Sequence, residues 1–420
     1  IRDQPRSRGL GDVYKRQGKH PVRLSRGRQF VNICTESAVF ITADFLHQHI
    51  KTGQGDVGYC VIIIEIICRL CILTITSYCQ PSLFMVSLYK DLPKRRTLMS
   101  DKLYTPSNPN AQQGVRNVLK YLSDITYEKI ITGQHTQTMA QEELHLIEKV
   151  TGKQPALLGF ELLSYSPNIN YSDTDDECMT EVTENYGTLK RVWEWAEKKG
   201  LITMCWHWFS PLYGRSKSFF SENTDFDASK AVIDGTPENK ALLSDMDTMA
   251  GILRPFCEKG VPILWRPFHE GDGDWFWWGK KGADTVKKLF RLMHDRYTNI
   301  FHLDNLIWVW NSQIPECYPG DDVVDIISRD MYPPEHEHTS QSEMYYNLCE
   351  ITSEKKITII GETGTLPSPE AVVSEKVGWS SYMTWSKPFC LSEKFNTFKQ
   401  LKKVYNSEYA VTKDTLPDLY

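Results

Sequence analysis

The stretch Val261-Pro-Ile-Leu-Trp-Arg-Pro-Phe-His-Glu270 opens on a short, mostly apolar run and ends in polar and aromatic side chains. The run is too short for a helix and reads as a buried strand. An amphipathic stretch with helical period, residues 240–258, precedes it, and Gly260 stands where a helix C-cap falls. A second helical pattern, residues 285–297, follows before the next apolar run at 306–311. This helix–strand alternation repeats along the chain. Candidate strands are 129–133, 156–161, 201–206, 261–266, 306–311, 324–330, 357–362 and 381–385. Further helices are predicted at 186–199, capped by Gly200, and at 395–405. Eight such units in about 300 residues predict an α/β fold, a (β/α)8 TIM barrel. A doubly wound open sheet is the alternative, but no glycine-rich phosphate turn follows any strand.

Working outward, the 420 residues divide unequally in charge. Residues 1–100 hold 15 Lys/Arg against 7 Asp/Glu, whereas 101–420 hold 33 against 46. All twelve tryptophans lie between Trp193 and Trp385. An acidic, Trp-rich region lacks the clustered cations that a phosphate backbone needs, so nucleic acid is excluded as a partner. The expected division is an N-terminal segment, 1–100, outside the fold, and a catalytic barrel over 101–420. The stretch Gly9-Leu-Gly-Asp-Val-Tyr-Lys-Arg-Gln17 resembles translated sequencing-adapter read-through. The apolar run 57–77 approaches a membrane span in length but contains Glu65 and Arg69. Each such charge costs about 2.5–3.5 kcal/mol at a helix centre. A spurious upstream translation is the first reading there, with a degraded export signal and a membrane anchor as alternatives. Eleven cysteines, one C-x-x-C pair (Cys68, Cys71) among them, make neither a disulfide framework nor a zinc ribbon.

Catalytic groups in a barrel of this type come from the C-terminal strand ends. The predicted ends carry Trp206-His207-Trp208, Arg266-Pro-Phe-His269-Glu270, Trp308-Val-Trp310-Asn311, Asp330-Met-Tyr332, Gly361-Glu362-Thr363 and Thr384-Trp385. Glu270 and Glu362, on the fourth and seventh strands, would face each other across the barrel mouth. A glycosidic bond needs one group to protonate the leaving oxygen and a second carboxylate to attack or stabilise the sugar cation. Apolar packing by Trp275, Phe276, Trp277 and Trp278 would raise the Glu270 pKa, while Arg266 or Tyr332 would keep Glu362 ionised. Indole faces stack on the C–H faces of sugars, so the 275–278 run with Trp208 and Trp385 suits a cleft for several consecutive rings.

Blander readings hold elsewhere. His269-Glu-Gly-Asp-Gly273 lacks the second histidine of a zinc protease, and no serine sits in a G-x-S-x-G elbow. His336-Glu-His338, Asp225, Asp227 and the acidic run 173–177 read as solvated loop.

Together these segments resemble the β-mannanases of glycoside hydrolase family 26. The matching stretches include Ile131-Thr-Gly-Gln-His135, Leu158-Gly-Phe-Glu161, Cys205-Trp-His-Trp208, the 261–270 stretch, Trp275-Phe-Trp-Trp-Gly279, Leu306-Ile-Trp-Val-Trp-Asn-Ser312, Tyr318-Pro-Gly-Asp-Asp322 and Ile360-Gly-Glu-Thr-Gly364. The resemblance covers roughly residues 102–405. It implies a retaining endo-hydrolase of β-1,4-mannan, glucomannan or galactomannan, with Glu270 as acid/base and Glu362 as nucleophile. It further implies that His207 contacts the sugar at the cleavage site and that Tyr332 hydrogen-bonds the nucleophile with Asp330 behind it. Trp385 would floor that subsite, His269 would support the acid/base side, and Trp275 would line the cleft. Residues Ile327-Ser-Arg329 depart from the Gly-Tyr expected there. Mixed-linkage β-glucan or β-xylan, and a non-catalytic glycan-binding barrel, are the alternatives. No metal, organic cofactor or obligate protein partner is implied, and a polymeric substrate implies a secreted, periplasmic or cell-surface location.

Overall fold

A computed structural model of the protein describes residues 105–137 and 140–420. The predicted N-terminal segment, with its five cysteines and the apolar run 57–77, lies outside the described residues. Among the described residues no helix is long and apolar enough to cross a membrane.

Eight parallel strands close a barrel. The first is split into β1 (Ile130–Ile131) and β2 (Gly133–His135). β3 (Leu157–Glu161), β4 (Leu201–Cys205), β5 (Ile263–Arg266), β6 (Leu306–Asn311), β7 (Ile326–Met331), β8 (Ile357–Thr363) and β9 (Trp379–Thr384) follow. Each pairs in parallel with its predecessor from β2 to β9, and Gln134 opposite Thr384 closes the ring. Each predicted strand coincides with one of these. The split of the first has a local cause. Thr132 donates both its N–H and its hydroxyl to the Val411 carbonyl, at 3.0 and 2.8 Å. That holds a short outer strand, β10 (Ala410–Val411), against β1. The outer strand is not visible as a pattern in the sequence.

Helices α1 (Gln113–Ile125), α2 (Glu142–Thr151), α3 (Asp176–Asn185), α4 (Thr188–Glu197), α5 (Ala228–Ala231) and α6 (Pro237–Glu258) fall between or beside the first strands. α7 (Ala283–Asp295), α8 (Ser342–Cys349), α9 (Pro369–Ser374) and α10 (Phe398–Tyr405) complete the series. α6 begins where the Thr236 hydroxyl accepts from the Asn239 N–H, with Pro237 in its first turn, two signals that satisfy or remove orphan donors. Asp175 and Asp227, expected as solvated loop, instead cap α3 and α5 by accepting backbone N–H groups. Gly260 takes the predicted left-handed cap at φ +67°. Gly200 does not. Lys199 holds that conformation at φ +58°, and position 200 stays bare because a Cβ would come within 2.2 Å of the Trp195 ring.

Many tryptophans serve packing. Trp265 and Trp308 sit in register on β5 and β6. Trp265 Nε1 is 3.4 Å from Met293 Sδ of α7, and Trp308 lies against Phe290 and His294 of the same helix. Burying each such large side chain contributes about 1.5–3 kcal/mol.

Candidate active site

The C-terminal ends of the strands hold an almost fully buried polar network. Arg266, at the end of β5, is 1% exposed and reaches two carboxylates. Its Nη1 donates to Asp330 Oδ2 at 2.6 Å, and its Nη2 donates to Glu362 Oε1. Tyr332 Oη donates to the other Glu362 oxygen at 2.8 Å. Asn311 fixes the rest. Its Nδ2 donates to Asp330 Oδ1 at 2.7 Å, and its Oδ1 accepts from the Glu270 N–H at 2.8 Å. Gly361 is required beside this network, because a Cβ there would stand 2.4 Å from Asp330 Oδ1.

Glu270 lies past the end of β5 in a left-handed backbone conformation, φ +52°, as does Phe268. Such geometry in a non-glycine residue costs of order 1–3 kcal/mol and persists only where surroundings impose it. Here the Asn311 bond and the indole of Trp275, which donates to Glu270 Oε2 at 2.8 Å, hold the residue in place. Oxygens of Glu270, Asp330 and Glu362 all lie within 4.8 Å of one another. Three carboxylates so close could hold a cation, but the Arg266 guanidinium already bonds two of them. Burial, then the negative charges of Asp330 and Glu362, push the Glu270 pKa well above the usual carboxylate range. Burial pushes Asp330 up as well, to about 7, against the pull of Arg266.

Across the mouth, His207 follows β4. Its Nδ1 is 2.5 Å from Glu161 Oε2, and its backbone N–H donates to Glu161 Oε1 at 2.8 Å. Burial alone would depress His207, yet the Glu161 carboxylate holds its pKa above the ordinary value. His269 is driven well below by burial and by the neighbouring His207 charge. The Nε2 atoms of the two rings are 3.2 Å apart, within hydrogen-bonding distance. Trp385 is 3% exposed. Its ring stacks on His135 at 3.9 Å and stands 6.2 Å from the His207 ring, while Gln134 Nε2 donates to its carbonyl at 3.1 Å.

All eight residues singled out from sequence therefore meet at one end of the barrel. The wider aromatic reading needs correction. Trp208, Trp277 and Trp278 are buried, with their indole N–H groups donated to Asp245, to the Trp208 carbonyl and to the His269 carbonyl. Only Trp275 of the 275–278 run is partly exposed. His336 is exposed and His338 bonds the Leu366 carbonyl, away from this network. At the departure before Asp330, Ser328 Oγ donates to the Trp310 carbonyl and accepts from Asn311, so the serine joins the network. Sequence reasoning gave no role to Glu161, Gln134, His135 or Asn311. A lone acid closing an otherwise apolar run, Leu157-Leu-Gly-Phe-Glu161, was the available signal for the first.

Barrel and network together define a (β/α)8 protein with paired glutamates at the C-terminal ends of two different strands. The sequence profile of glycosyl hydrolase family 26 matches residues 107–415, and the chain belongs to that family. It is 35% identical over 318 residues to a mannan endo-1,4-beta-mannosidase of Thermothelomyces thermophilus, covering 74% of this chain and 63% of that one. To mannan endo-1,4-beta-mannosidase A of Piromyces sp it is 30% identical, covering 78% and 53%. The chain thus spans less than two thirds of these relatives. Among solved structures, the Podospora anserina GH26-CBM35 β-(1,4)-mannanase superposes with a TM-score of 0.67 at 32% identity, covering 74% of this chain and 68% of that one. A β-mannanase from a symbiotic protist of the termite Reticulitermes speratus, complexed with gluco-manno-oligosaccharide, gives 0.67 at 31%, covering 75% and 98%.

Proposed function

We propose that this chain is a secreted, retaining endo-β-1,4-mannanase, with Glu362 as nucleophile and Glu270 as acid/base. The observation that carries the reading is the asymmetry of the pair. Burial and neighbouring negative charge raise the pKa of one glutamate well above the carboxylate range, while the other accepts from a guanidinium and a phenol. Their oxygens lie within 4.8 Å, and a retaining pair stands about 5–5.5 Å apart against roughly 6.5–9.5 Å for an inverting one.

In the first step a Glu362 oxygen forms a bond to the anomeric carbon. The carbon–oxygen bond to the leaving sugar breaks, and the Glu270 proton goes to that oxygen. Esterification removes the Glu362 charge that helped raise the Glu270 pKa. Glu270 is then left as the stronger acid's conjugate base, suited to take a proton from the water that cleaves the ester. Tyr332 and Asp330 orient the nucleophile, Asp330 through Arg266. His207, His269, Trp275 and Trp385 bind the sugars on either side of the scissile bond.

The relatives' names favour mannan, and the ligand of the termite-protist enzyme favours tolerance of glucose within the chain. Export follows from a substrate too large to enter a cell. The test is a panel of β-mannans, glucomannan, β-glucan and xylan with product lengths measured. Short manno-oligosaccharides of mixed length are expected. Turnover of xylan or mixed-linkage glucan alone would replace the substrate assignment.

A further inference from the structure

Beneath Trp385 lies a group of donors that the hydrolytic scheme does not use. His135 is 0% exposed, and among the described residues neither ring nitrogen has a hydrogen-bond partner. A buried polar group left unmatched in this way asks for a ligand. A His135 nitrogen, a Glu161 oxygen and Cys205 Sγ all lie within 4.8 Å of one another. Cys205 Sγ is 3.1 Å from Glu161 Oε2. A thioether borders the same space. A Cβ on Gly159 would stand 2.1 Å from Met383 Sδ and 3.1 Å from His135 Cδ2, so the bare position lets sulfur and imidazole approach.

We propose that His135, Glu161 and Cys205 form a binding site for a zinc-class divalent cation, with Met383 as a neighbouring soft donor, and that occupation switches the active site off. One nitrogen, one oxygen and one sulfur make a donor set that suits Zn²⁺, whose bonds to them run about 2.0–2.3 Å. Ligand atoms already within 4.8 Å need side-chain shifts of roughly 1 Å to reach such bonds. On binding, the Cys205 S–H bond breaks, a sulfur–metal bond forms, and the proton leaves to solvent. No electron is transferred. The cost falls on His207. Glu161 Oε2 holds its Nδ1 at 2.5 Å, and a cation on the same carboxylate displaces that bond. The ring then loses both its charge partner and its fixed orientation beside His269.

The inhibition arm rests on the proposed hydrolytic function, whereas the binding arm does not. Cobalt(II) alone, titrated into the full chain, reports thiolate ligation by a charge-transfer band. The expected result is a band that Cys205→Ser removes, that His135→Phe weakens, and that survives Cys390→Ser, a change at a buried thiol elsewhere. Zinc should lower hydrolysis of mannan in step with occupancy in the wild type and spare the Cys205→Ser variant. Identical cobalt spectra in wild type and Cys205→Ser, or no spectrum at all, would overturn the site. A Cys205-dependent band with zinc-insensitive hydrolysis would overturn the switch. A chain that hydrolyses no glycan without metal would count against the functional reading, while the cobalt spectra still decide the binding.

Discussion

Glu270 and Glu362 are the same residue in two different settings at the same end of one barrel. Glu362 lies within strand β8 and accepts from Arg266 and Tyr332. Glu270 stands beyond β5 in left-handed backbone and accepts from an indole. On the proposed function, position in the hydrogen-bond network, more than residue type, divides acid from nucleophile. The fold supplies the division. Arg266 leaves its strand toward β7 and β8, where it bonds Asp330 and Glu362 directly.

The comparison is broken most sharply by truncation. Glu362→Ala should abolish turnover on every substrate, since no covalent intermediate can form, and substantial residual hydrolysis would end the assignment. Glu270→Ala should lower hydrolysis of mannan by about 10²–10⁴-fold, the usual contribution of a general acid. Tyr332→Phe deletes a donor to Glu362. A hydrogen bond to a carboxylate is worth about 1.5–3 kcal/mol, so kcat should fall roughly 10- to 150-fold with KM little changed. A pure KM effect would place the tyrosine on substrate instead.

Smaller effects sharpen the same contrast. The folded pKa of Glu270 is raised, so the folded state holds this proton more tightly than the unfolded chain does. Its stabilising contribution is complete below the ordinary value and is lost as pH rises through the raised one. Glu270→Gln cannot lose it. The variant's melting temperature should match the wild type in acid and exceed it by a few degrees toward alkaline pH, as a pH series of thermal scans would reveal. An advantage that grows in acid would reverse the sign and refute the burial argument. The least effect is expected from deleting residues 1–98, which should leave solubility and hydrolysis unchanged. Loss of active protein would show that the basic segment belongs to the fold.

Strand positions were legible because each β/α unit is a local pattern, a short apolar run followed by an amphipathic stretch. The paired acids were legible because they close such runs. What escaped were partners made by closure of the ring. Nothing near Glu161 in the chain points to His207, and Asn311 gains its meaning only when β5, β6 and β7 align. The tryptophans misled for a related reason. Alternate residues of a strand face opposite ways, so an indole near a strand end can anchor a helix, as Trp265 and Trp308 do, rather than line a cleft. The run at 275–278 likewise turns two of its three indoles inward.

The most direct test of the division between the two glutamates is the product that azide gives with the Glu270→Ala variant. An aryl mannoside with a good leaving group needs little protonation, so glycosylation of Glu362 should persist while hydrolysis of the intermediate slows. Azide, needing no general base, should then restore turnover and release the β-mannosyl azide, with the anomeric configuration retained. Release of the α-linked azide would mean a single displacement with no enzyme ester, and the roles assigned to Glu270 and Glu362 would be contradicted.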